Sequence, residues 1–373
     1  MKVKVWASIF LILLTIALCN VSFSFMDNIN SSKSLNVSKS TDTIINTAKT
    51  TNYKGSPLGE DSLTKNTKKY FEKKLFSGSF EIVKNGETAV RAASGYANTN
   101  YYSSVNSLYN IGSLQFQINA AAILKLNQNG KIDLNQKVKS LLPNLKGLED
   151  ISIRDVVTNK NHLGIAQSFV QNKDYSQIVK QKNIKIKSYL SSTTKTQNNS
   201  ILMALLIQKI ENKNYFTVLE DQLLSEIPTL NYMFVTEIKQ KSVKSVAKSY
   251  KYHVEDSNLQ YDKPFSISKK IYIGSNQLYM SVSDLYNSMN YLIKSNYLST
   301  DSKRIFIKGL LASNGIMEKK SYFITSSYNG FRAGLFVNSN GKNGAVMLLN
   351  VDPGKTKMKK GLRYLAKEYR VVE

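Results

Sequence analysis

The strongest constraint on this fold is one turn grammar written at both ends of the apolar part of the chain. Phe80, Ile82 and Val83 lead into Lys84-Asn85-Gly86-Glu87, and a second run follows from Ala89 to Gly95. Asn-Gly between two such runs predicts a two-residue hairpin, because both central residues of that turn take positive φ. Near the other end, Phe331 to Val337, Asn338-Ser339-Asn340-Gly341 and Ala345 to Asn350 predict another, closed by Asp352-Pro353-Gly354. A C-terminal helix follows, with Met358, Leu362, Leu365 and Tyr369 at helical spacing.

Helical signals fill the middle. Ile118 to Leu126 is apolar on nearly every face and stops at Asn129-Gly130, a residue pair suited to a left-handed helix end, so this helix is expected to be buried. Ser152-x-x-Asp155 and Ser281-x-x-Asp284 read as capping boxes that open further helices. Asn199 to Ile210 is another almost wholly apolar helix. Strands at both ends around a helical middle predict an α+β fold, an antiparallel sheet flanked by helices with an inserted helical subdomain.

The first 24 residues stand outside that fold. Lys2 and Lys4 precede a charge-free run from Val5 to Leu18, and Ser22-Phe23-Ser24 offers a small-x-small cleavage site, the pattern of an export signal over 1–24. A retained membrane anchor and lipidation at Cys19 are the alternatives. Residues 25–66 are mostly Asn, Ser, Thr and Lys with too few apolar side chains to offset ordering, which predicts a flexible polar linker. Residues 67–373 then form one domain. A single cysteine and two histidines, His162 and His253, exclude a disulfide framework and a multi-ligand metal site, so no metal or cofactor is expected.

The stretch Tyr109-Asn110-Ile111-Gly112-Ser113, an alanine-rich helix, Leu126 to Leu134 with Asn129-Gly130 inside it, and Leu141-Leu142-Pro143 resemble the serine β-lactamase and penicillin-binding-protein superfamily. Ile151 to Asp155, Leu278 to Leu285 and the closing strand with Leu348-Leu349-Asn350 extend the likeness from about Tyr70 to Tyr369. Phe76 to Gly86 and Gln277-Leu278-Tyr279-Met280 are most similar to FmtA-type proteins, relatives of class C β-lactamases that act as D-alanine esterases on teichoic acids. The resemblance implies a β-lactamase/transpeptidase-like fold and four catalytic devices. These are a serine at a helix start, a lysine one turn later that takes its proton, a Y-x-N segment that relays it, and a strand of Lys or His, Thr or Ser, and Gly that binds the substrate.

Against that pattern the chain departs at nearly every chemical position. Ser113 occupies the nucleophile slot, but the motif reads Ser113-Leu114-Gln115-Phe116, so Phe116 stands where the lysine base belongs. Counted back from Tyr215, the Y-x-N slot becomes Lys195-Thr196-Gln197, and Lys195 in the tyrosine slot is a candidate relocated base. Counted back from Gly330, the third motif becomes Ile324-Thr325-Ser326, which retains only hydroxyls for binding. A fourth stretch, often His-Thr-Ser-Gly in relatives, reads Asn159-Lys160-Asn161-His162. Without catalytic partners, Ser113 is an ordinary residue, a helix N-cap by type, and Phe116 a core residue.

Charge supplies the remaining expectation. Lys+Arg 51 against Asp+Glu 26 gives a net charge of +25, and removing Lys2 and Lys4 still leaves +23. Outside a Gram-positive-type cell the abundant polyanions are wall polymers, so long-range attraction to teichoic acid and association with the cell envelope are expected. No arginine-aromatic interleaving points to nucleic acid. The sequence therefore predicts an exported, cell-surface β-lactamase-like protein that has lost acyl-transfer chemistry and binds anionic wall polymer. The alternative is a working teichoic acid D-alanyl esterase or D-Ala carboxypeptidase that uses Ser113 with Lys195.

Overall fold

The computed structural model describes residues 62–98, 101–161, 164–181, 192–227, 230–235, 245–255, 258–265, 271–313 and 315–371. The expected export signal, most of the expected linker and His162 lie outside these residues. Among the described residues no helix is long and apolar enough to cross a membrane.

The two hairpins read from sequence lie side by side in one six-stranded antiparallel sheet. β1 (Gly78–Lys84) turns at Asn85 and Gly86, both at positive φ, into β2 (Glu87–Ser94). At the far end β6 (Gly315–Glu318), β7 (Ser321–Tyr328), β8 (Phe331–Asn338) and β9 (Gly344–Leu349) follow one another as a meander. The sheet order is β6-β7-β8-β9-β1-β2, so the first strand pairs with the last, with Phe80 opposite Met347 and Ile82 opposite Ala345. A smaller three-stranded sheet runs from β3 (Tyr109–Asn110) through β5 (Leu278–Met280) to β4 (Tyr232–Phe234).

Helices cover both faces of the large sheet. α1 (Ser62–Lys74) and the C-terminal α8 (Lys355–Glu368) lie on one face, where Phe71 stacks on Phe80 at 4.4 Å and Tyr70 on Tyr364 at 3.7 Å. α1 begins at Ser62, inside the stretch that composition assigned to a linker reaching residue 66. Its polar first turns gave no sign of the aromatic pair at Tyr70 and Phe71 that anchors it. On the other face and beyond it lie α2 (Gln115–Gln128), α3 (Ile153–Val157), α4 (Ser192–Glu211), α5 (Tyr215–Gln222), α6 (Val282–Lys294) and α7 (Thr300–Ser313). These helices enclose one continuous apolar core.

Local chemistry sets the helix ends. α3 and α6 open with full capping boxes at Ser152/Asp155 and Ser281/Asp284. α2 ends at Asn129 with Gly130 at φ +71, where a side chain would be strained. α4 starts seven residues before Asn199, so its first turns carry Thr194 to Asn198.

Candidate functional site

Ser113 sits in a tight turn that three elements hold. Asn110, at the end of β3, accepts a hydrogen bond from Gly112 N–H at 2.8 Å and donates its own amide to Asn276 O at 2.9 Å. Gly112 takes φ +59, and a Cβ there would stand 2.8 Å from Ser326 Oγ. Ser326, on β7, donates that hydroxyl to Ile111 O at 2.6 Å. The Gly112–Leu114 turn is thus pinned against β7 beside Thr325 and Ser326, both buried, and α4 packs on it from the other side. Ser113 is 7% exposed. It does not cap α2: it lies inside the 3-10 turn, Leu114 takes the cap position, and no side chain accepts a hydrogen bond there.

Phe116, one turn further, is fully buried. Its ring edge lies 3.5 Å from where a Cβ on Gly309 would stand, and that Cβ would itself be 2.3 Å from Val157 O. The side chain in the lysine slot therefore fills the junction of α2, α3 and α7. An ammonium placed there would lose its hydration.

The polar side chains around this junction are neutral. Gln115 Oε1 accepts from the N–H groups of Gln277 at 2.7 Å and Leu278 at 3.2 Å, which ties the start of α2 to β5. Its amide donates to Tyr215 Oη at 3.0 Å, and Tyr215 donates to Asn119 Oδ1 at 2.5 Å. Asn119 in turn donates to Ser200 O and Gly274 O, so one network joins α2, α4, α5 and β5. Burial pushes the Tyr215 hydroxyl far above its ordinary value. The network orients backbone and offers no group able to take a proton near neutral pH. In the sequence Tyr215 stands out only as a landmark at a helix boundary. The available signal was Gln115 and Asn119, four apart on a helix otherwise apolar, since buried amides require partners.

The remaining motif positions divide. Lys195 and Gln197 lie in the second turn of α4, a helix, and residues two apart on a helix do not face one direction. Thr196 between them is buried and accepts from Asn159 Nδ2 at 3.1 Å. Among the described residues no hydrogen bond joins Lys195 to Ser113. Asn159, at φ +53, also donates to Ala312 O and accepts from Asn199 Nδ2 at 2.6 Å, so the altered fourth motif serves to hold α4 to α7. Gly330 sits at the tip of the β7–β8 turn, where its nearest side chains are Phe265 and Ser249. His253 lies in a two-stranded ribbon, Tyr250–Glu255 with Asn258–Pro264. Among the described residues no cluster of metal-ligating side chains occurs.

Comparison with known proteins places this geometry. A beta-lactamase family model matches residues 63–369. The teichoic acid D-alanine hydrolase of Staphylococcus aureus is 26% identical over 235 residues, 61% of this chain and 56% of that protein. The match thus spans little more than half the length of this curated relative. Among solved structures, FmtA from Staphylococcus aureus aligns with a TM-score of 0.66 at 20% identity, covering 83% of this chain and 90% of that one. The D-amino acid amidase of Ochrobactrum anthropi SV3 aligns at 0.63 and 13% identity, covering 83% and 99%.

Proposed function

The chain belongs to the beta-lactamase family, and we propose that within it the protein is an exported, non-hydrolytic binder of anionic wall polymer. Phe116 carries this reading. A fully buried ring, packed beside Gly309, occupies the position from which the family's lysine would deprotonate the serine. Loss of general-base assistance alone costs roughly 100- to 10,000-fold in rate, and partners acting as a unit fail together. The net charge of +25 supplies the attraction to a polyanion. The staphylococcal relative, a teichoic acid D-alanine hydrolase, indicates the class of polymer.

That same relative supports a second reading, hydrolysis of D-alanyl esters at Ser113 with Lys195 as base. The two separate in one assay. D-alanine release from D-alanylated lipoteichoic acid is expected to equal the protein-free rate. Release above that rate that vanishes in Ser113→Ala would replace the binding reading with the hydrolytic one.

A further inference from the structure

Two cavities meet at Ser339, in the β8–β9 turn, and cations line both. One, about 440 Å³, lies along α7 and carries Lys303, Arg304 and Lys308 above a floor that includes Phe306 and Tyr322. The other, about 450 Å³, lies between the β6–β7 and β8–β9 turns and carries Lys319 and Lys320. Among the described residues no acidic side chain lines either cavity. Asp301 pairs with Arg304 at 3.2 Å and offsets that charge, which leaves Lys303 and Lys308 to set the sign of the first cavity, and Glu318 pairs with Arg363, which does not line either cavity.

The turn that delivers two of these cations is chosen against local ease. The neighbouring hairpins of the same sheet turn on Asn85-Gly86 and Asn329-Gly330, residues that accept positive φ. The β6–β7 turn instead places Lys319 at φ +53. Ser339 N–H donates to Lys320 O at 2.7 Å and locks the two turns side by side, so the cations stand over a fixed floor.

We propose that this double groove is an anion-binding exosite for a flexible phosphodiester polymer. The proposal rests on the wall-polymer reading above and adds where the chain is held. Cations on both sides of Ser339 require a ligand that is elongated and repeatedly charged, because a single phosphate would occupy one cavity only. The aromatic rings in the floor are buried, Tyr322 at 9% exposure, so no platform for base stacking exists and a nucleic acid fits poorly. β7 begins beside the groove at Ser321 and reaches the Ser113 turn at Ser326. At about 3.3 Å per residue the two sites lie roughly 17 Å apart along one strand. A polymer anchored at the groove would reach the Ser113 turn with units some distance along its chain.

The test compares two sets of four lysine-to-glutamine changes with equal loss of charge. One set is Lys303, Lys308, Lys319 and Lys320; the other is Lys355, Lys357, Lys360 and Lys367 on α8. Binding of the full chain to immobilised poly(glycerol phosphate) lipoteichoic acid is measured across a salt series. The groove set is expected to bind about tenfold more weakly than the α8 set and to flatten the dependence of log affinity on log salt. Lys319→Asn guards against misfolding: it relaxes the turn, so thermal stability should rise or hold while polymer affinity falls. Equal losses in both sets, or wild-type binding by the groove set, would overturn the exosite and leave the wall-polymer reading standing. Absence of wild-type binding would overturn both. Groove-dependent binding to phosphatidylglycerol vesicles with none to the polymer would replace the polymer with a membrane surface.

Discussion

Phe116 packs its ring edge beside Gly309, 3.5 Å from where that residue's Cβ would stand, while Val157 O at 2.3 Å is the atom that leaves the position no side chain. The lysine slot is therefore part of the core, and restoring its family residue should cost stability without restoring chemistry. Phe116→Lys buries an ammonium in place of a core ring and is expected to lower unfolding stability by about 3 kcal/mol or more, with no ester turnover. Gly309→Ala drives a Cβ to 2.3 Å from Val157 O and should cost roughly 1–3 kcal/mol. Urea unfolding and a chromogenic ester assay read both. Turnover by a stable Phe116→Lys protein would show that the slot still faces Ser113.

Gln115 is the residue on which the α2–β5 junction depends. Gln115→Leu leaves two buried N–H groups, of Gln277 and Leu278, without their acceptor, and should cost about 2–4 kcal/mol. Tyr215→Phe removes one hydroxyl that serves Gln115 and Asn119, and should cost about 1–3 kcal/mol. The check is a shift of the urea midpoint at unchanged slope, with the larger shift for Gln115→Leu. Equal small shifts would mean that water replaces both contacts.

Glu81 makes stability depend on pH. It is almost fully buried on β1, and burial raises its carboxyl above the ordinary range, while Ser283, Thr88 and the Arg91 guanidinium pull it back and Asp284 adds to the rise. Between the ordinary and the raised value the native state holds a proton that the unfolded chain has released. Stability is then greatest below the ordinary carboxylate range, falls as pH rises through the raised value, and levels off above it. Asp284, also raised by burial, acts with the same sign. Glu81→Gln should flatten part of this slope and gain most at neutral pH, as read by thermal unfolding from pH 4 to 8. Superimposable pH profiles for the two proteins would assign the dependence to other groups.

What was legible in the sequence is what short-range physics decides. Asn85-Gly86 forces a hairpin whatever surrounds it, and Ser152/Asp155 and Ser281/Asp284 close their capping boxes within four residues. The start of α4 was hidden because Thr194 to Asn198 look like loop residues. Asn159, some forty positions away, holds this helix start by donating to Thr196 and accepting from the Asn199 amide. The β3-β5-β4 sheet was hidden too, since strands of two and three residues carry no periodicity. At the site, Ser326 meets the Gly112–Leu114 turn through Ile111 O. Motif spacing gave no warning that Lys195 and Gln197 would lie on a helix, nor that Gln115 would find Tyr215 a hundred residues on.

The Gly112–Ser326 contact allows the Ser113 turn to be taken apart in two steps. Gly112→Ala pays twice, once for an L-residue at φ +59 and once for a Cβ 2.8 Å from Ser326 Oγ, and should lose roughly 2–3 kcal/mol. Ser326→Ala alone removes the hydroxyl that Ile111 O accepts and should lose about 1 kcal/mol. Together the two should lose less than their sum, by about 0.5–1.5 kcal/mol, because the second change clears the atom the first one strikes. The backbone part of the glycine's cost remains in the double variant, since no change on β7 alters the φ of residue 112. A double-mutant cycle in urea measures the coupling. Strict additivity would mean that the turn moves off β7 when Gly112 is replaced, and that the strand does not hold Ser113 in place.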